Sequence, residues 1–65
     1  MIFQLIKTAR LAKGLKVREL ASLIGVDQAL VSKFESNDRI PTEEQLKKIA
    51  VALSIPYEQL AINWL

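Results

Sequence analysis

"VRELASLIGVDQALVSKFES", residues 17–36, holds two short helical patterns separated by the corner Ile24-Gly25-Val26-Asp27. In the first pattern Leu20, Ala21 and Ile24 recur on one side, and in the second Val31 and Phe34 do. That spacing predicts one helix over Val17–Ile24 and another over residues 28–36, with their apolar faces turned to a shared core. Asp27 suits the N-cap of the second. Two short helices on a tight turn cross steeply only if a small residue lets them approach and the chain can reverse. Ala21 meets the first condition. Gly25 meets the second, because it takes the left-handed conformation without a Cβ penalty. Val26 offers an apolar plug for the turn. Each feature is common alone; in register over one stretch they predict a helix-turn-helix.

Outward from this pair, every other segment also reads as helix. Residues 2–13 repeat Ile2, Ile6 and Ala9 on one side and stop at Gly14. A fourth helix begins at "PTEEQ", where Thr42 and Gln45 have the spacing of a capping box, and continues through Leu46, Ile49, Ala50 and Leu53. "SIPYEQL" breaks and restarts the chain, with Pro56 suited to a first helical position. Tyr57, Leu60, Ala61 and Trp64 then mark a fifth helix. No segment alternates as a strand would. The fold class is all-α: five short helices around one core, the second and third forming the helix-turn-helix. Residues 1–65 are expected to be one domain, either whole or the N-terminal fragment of a longer chain.

The chain has no cysteine and no histidine. This removes thiol and imidazole nucleophiles and the usual zinc ligand sets, so neither enzyme chemistry, nor a cofactor, nor a metal is expected. The acidic pair Glu43-Glu44 sits in a first helical turn, where the helix dipole accounts for it. No apolar run reaches transmembrane length and no signal peptide is evident, so a cytoplasmic protein with no membrane partner is expected. Net charge is only +2, but residues 1–18 carry Lys7, Arg10, Lys13, Lys16 and Arg18 and no acid. Such a bias suits a polyanion, although solvated surface lysines alone would also produce it.

The outward face of the third helix carries Gln28, Ala29, Ser32, Lys33 and Ser36 at spacings of three and four. A merely solvated helix more usually carries Glu/Lys pairs. Glutamine can pair bidentately with adenine, lysine can reach guanine, and alanine can touch a thymine methyl. Gln28, Ala29, Ser32 and Lys33 are therefore candidate base contacts.

On "KTARLAKGLKVRELA", Ala21, Gly25, Val31-Ser32, Glu35 and "LKKIAVALSIPYEQL", the sequence resembles the phage repressor and Cro-type (Xre-like) helix-turn-helix family, lambda repressor-like in fold. The resemblance covers nearly the whole chain. It implies a prokaryotic or phage, nucleoid-associated regulator. The third helix would enter the major groove of double-stranded DNA, and the protein would act as a homodimer on a palindromic operator. It also implies an ion pair between Arg10 and Glu35. Phosphate contacts are expected around the reading helix, at Lys16, Arg18, Asn37 and Arg39, with Lys7 as a further candidate. Lys13, Lys47 and Lys48 are expected to be solvated.

The sequence departs from the family in two places. Relatives commonly begin the second helix with a Ser or Thr cap followed by Gln; here Lys16-Val17 stands there, at a cost of roughly 1 kcal/mol of helix stability. Asn37 stands where a glycine is usual after the third helix, and asparagine tolerates the left-handed conformation. Ile62 and Leu65 lie off the inward face of the fifth helix, as Phe3 and Leu5 do on the first. Ile62, Trp64 and Leu65 form a candidate dimer surface; a missing continuation of the chain, or the apolar ends packing on each other, would also explain them. The principal expectation is a sequence-specific transcription regulator, most simply a repressor. The alternative is a protein-interaction or antitoxin-like adaptor domain that keeps the fold without reading bases.

Overall fold

Apolar residues at helical spacing, bounded by Gly, Pro and capping residues, organise the chain into α1 (Ile2–Ala12), α2 (Val17–Ile24), α3 (Gln28–Glu35), α4 (Glu43–Leu53) and α5 (Tyr57–Trp64) in the computed structural model. The structure describes residues 1–64, so Leu65, one of the candidate dimer residues, lies outside the described residues. Ile6, Leu20, Val31, Leu46, Ile49 and Leu60 each have 0% exposure. They come from all five helices, so the core is a single one. α2 packs on α3 and α4, α4 also holds α5, and α1 rests on α3, α4 and α5.

The turns follow from local chemistry. Gly25 is left-handed at φ 71° and ψ 34°, and the Val26 N–H donates back to the Ala21 carbonyl at 3.0 Å. This closes the end of α2 around the residue whose small side chain, 3% exposed, lies in the core. Val26 itself is half-buried and packs against the core. Asp27 caps α3, its Oδ1 accepting from the Ala29 N–H at 2.8 Å. The Thr42 hydroxyl accepts from the Gln45 N–H at 3.2 Å while Gln45 Oε1 accepts from the Thr42 N–H at 2.9 Å, a complete capping box.

Three helix ends differ by one residue from the sequence expectation. α1 stops at Ala12 because Lys13 is already its cap and Gly14, at φ 71°, turns the chain away. α3 stops at Glu35, with Ser36 as cap. Pro56 precedes α5, its carbonyl accepting from the Gln59 N–H at 3.0 Å, so it acts as the entry to the helix instead of its first residue. Ser54, with nothing in its composition to announce it, is left-handed at φ 56° and ends α4.

Two long-range ties complete the packing. The Trp64 indole N–H donates to the Pro41 carbonyl at 2.7 Å, joining the end of α5 to the loop before α4. Lys13 is exposed, as expected, and its Nζ also donates to the Ser54 hydroxyl at 2.9 Å, linking the ends of α1 and α4. Among the described residues no buried side-chain nitrogen or oxygen lacks a hydrogen-bond partner, as a well-formed interior requires.

Candidate nucleic-acid interface

α3 divides its residues sharply. Val31 and Phe34 are buried and Leu30 is half-buried against the core, while Gln28, Ala29, Ser32 and Lys33 are all exposed. Leu30 was missed as a packing residue because it lies between the inward and outward stripes. The four exposed residues recur at helical spacing and share one face. Asp27, adjacent to them, has a carboxylate oxygen committed to the α3 cap.

Both ends of α3 are fixed. At the amino end the left-handed Gly25 and the Asp27 cap set the entry. At the carboxyl end the Lys33 carbonyl gathers the chain: the Asp38 N–H reaches it at 2.9 Å and the Arg39 N–H at 3.3 Å. Asn37, the residue before them, is left-handed at φ 66°. The Ser36 hydroxyl lies 3.0 Å from Asp38 Oδ2 and 3.3 Å from the Lys33 carbonyl, so this outward serine serves the turn.

The helix is also anchored to α1. Arg10 Nε donates to Glu35 Oε2 at 2.6 Å and its Nη2 to Glu35 Oε1 at 3.0 Å, a bidentate pair whose side chains are each 8% exposed. The third guanidinium arm, Nη1, donates to the Leu15 carbonyl at 2.6 Å. Hydrogen bonding to Glu35 raises the Arg10 pKa above the ordinary arginine value, outweighing the opposing effect of burial. One buried cation thus joins α1, the turn before α2 and the last residue of α3.

Of the candidate phosphate contacts, Lys16 and Arg18 are exposed at the start of α2, and Asn37 and Arg39 are exposed in the loop after α3. Lys7 is exposed in the middle of α1. Lys16 contributes no side-chain cap, as its chemistry dictates, but its N–H donates to Glu19 Oε1 at 2.7 Å. The spacing Lys16-x-x-Glu19 is that of half a capping box, a signal present in the sequence and passed over. Lys47 Nζ sits 5.8 Å from the centre of the Tyr57 ring, within cation–π range.

Of the remaining candidate surface, Ile62 is 78% exposed, whereas Trp64 is half-buried against its own chain. Ile62 and Trp64 border a depression also lined by Met1, Phe3, Asn37 and Ile40. Among the described residues no cluster of His, Cys, Asp or Glu could hold a metal ion. Among the described residues no helix is long and apolar enough to cross a membrane.

Comparison with known proteins agrees with this geometry. Residues 6–60 match the helix-turn-helix family HTH_3. The chain is 38% identical over 58 residues to the uncharacterized HTH-type transcriptional regulator RghRB of Bacillus subtilis, covering 88% of this chain and 42% of that protein. It is 39% identical over 56 residues to the HTH-type transcriptional repressor RghR of the same organism, covering 85% and 42%. It is also 39% identical over 46 residues to the cryptic phage CTXphi repressor RstR of Vibrio cholerae, covering 71% and 41%. The chain thus spans about two fifths of the length of these curated relatives. Among solved structures, the biofilm master regulator SinR in complex with DNA superposes with a TM-score of 0.86 at 34% identity, covering 94% of this chain and 98% of that one. SinR in its complex with SinI gives 0.85 at 34% identity, covering 92% and 59%. The chain belongs to the helix-turn-helix family, of the Xre/Cro type.

Proposed function

We propose that this chain reads double-stranded DNA sequence-specifically as a transcription regulator, a repressor acting by occupancy, with α3 in the major groove. The observation that carries this reading is the exposed row Gln28, Ala29, Ser32 and Lys33 on a helix held at both ends. Rigid placement matters because base edges are distinguished by donors and acceptors only when the side chains arrive in register. Lys16, Arg18, Asn37 and Arg39 flank the row and take phosphates, and Lys7 takes one from α1. The likeness to SinR, solved with DNA, and to the repressors RghR and RstR supports the same assignment. The role is non-catalytic, and it is exercised in the cytoplasm, where prokaryotic and phage operators lie.

A two-fold homodimer on a palindromic operator completes the proposal. The depression between Phe3, Ile40, Ile62 and Trp64 is its interface: it includes Asn37 and Ile40 from the loop that leaves α3, so pairing there sets two reading helices side by side. The adaptor reading finds support in SinR's complex with the protein SinI, and the same experiment separates the two. Duplex selection from a random pool, followed by footprinting, should yield one preferred palindromic site. Gln28→Ala and Lys33→Ala should each cost roughly 1–3 kcal/mol at that site, with nonspecific affinity falling more for the lysine variant. Unchanged site ranking in both variants would remove α3 as the reader; absent or salt-insensitive binding would favour the adaptor.

A further inference from the structure

Away from α3, the seam between α2 and α4 is open and apolar. Leu23 on α2 is 61% exposed and Val51 on α4 is 82% exposed. They line one depression of about 350 Å³, which meets a second of about 410 Å³ that runs past Val51 to Ile55 and Tyr57. The only charged side chains lining either are Lys47 and Lys48. Neither lysine forms an ion pair among the described residues, although Glu43 and Glu44 lie one turn earlier on the same helix. No residue of α3 lines the seam.

We infer that this seam docks an acidic amphipathic helix of a partner protein. Leu23, Val51 and Ile55 receive the apolar stripe of that helix, since a stripe of three or four residues per two turns fits a furrow between two packed helices. Lys47 and Lys48, the charged residues that line the seam, meet carboxylates flanking the stripe, which sets the sign of the partner. Lys47 is backed by the Tyr57 ring, which helps hold it there. The exposed leucine and valine have no packing role in their own core, so their burial is gained only on docking. The seam is separate from the reading face, and its occupancy does not depend on the DNA assignment.

The test is a titration of the isotope-labelled chain, followed residue by residue by NMR, with a synthetic amphipathic peptide of about 18 residues, leucines along one face and glutamates beside them. Its twin carries lysine for every glutamate. The acidic peptide should shift the amides of Leu23, Lys47, Val51 and Ile55 and bind about 10-fold or more tightly than its twin. Leu23→Glu should lower that affinity by about 10-fold while leaving the fold intact, because the side chain is outside the core. Lys47→Glu combined with Lys48→Glu should reverse the preference between the peptides. Equal binding of both peptides, shifts that map elsewhere, or no binding would overturn the proposal. So would shifts at the same amides that grow with protein concentration alone, which would make a second copy the occupant.

Discussion

Gly25 has φ 71° and open space where a side chain would stand, with nothing within 4 Å of a Cβ placed there. The cost of substitution is therefore backbone strain alone. Gly25→Asn should be tolerated nearly as well as glycine, while Gly25→Val should lose about 2 kcal/mol or more, since β-branching penalises positive φ most. Urea melts followed by circular dichroism separate the two; equal midpoints for both variants would mean the corner adapts. Lys16 makes the complementary point. It cannot cap α2 with its side chain, yet Glu19 covers its N–H from one turn ahead. Glu19→Gln, which keeps the acceptor, should melt close to the parent, and Glu19→Ala should lose about 0.5–1 kcal/mol by the same measurement.

At the scale of elements, the tie between α1 and α3 is the feature most expensive to disturb. Arg10→Met strands a carboxylate whose side chain is 8% exposed and frees the Leu15 carbonyl, and should cost about 3–5 kcal/mol. Adding Glu35→Leu removes the stranded charge and should recover much of that loss, so a double-mutant cycle of melts should show strong coupling. Because the folded Arg10 pKa is raised, its contribution to stability is complete below the ordinary arginine value and is lost only as pH rises beyond that value. The pair should therefore show no alkaline weakening through Arg10 anywhere near neutrality. The helix pair at residues 17–36 was legible because its constraints are local: one small residue, one glycine, one cap and two apolar stripes. The Arg10–Glu35 pair spans 25 residues and came from family resemblance. No local pattern exposes the third Arg10 bond to Leu15, the Lys13–Ser54 bond or the left-handed Ser54. These depend on how helix ends meet after packing, which periodicity does not encode. Trp64 was read from periodicity as inward and from the surplus of apolar residues as outward; it lies half-buried, between the two.

For the whole molecule, the proposed dimer rests on the apolar depression beside α5. Ile62→Glu changes a residue 78% exposed, so the fold should stand, while self-association measured by sedimentation equilibrium should weaken about 10-fold or more. Unchanged association would move the interface elsewhere. The neighbouring Trp64 has a consequence of another kind. It is the only tryptophan in the chain, and its indole N–H rests on the carbonyl of Pro41, in the loop between α3 and α4. Indole emission depends on the polarity around the ring and on the partner of its N–H. The protein therefore carries a built-in optical reporter where its last helix meets the loop between α3 and α4. With no label attached, the colour of its fluorescence should shift if the depression that Trp64 borders is dried by a second copy or if the Pro41 loop moves when DNA is added.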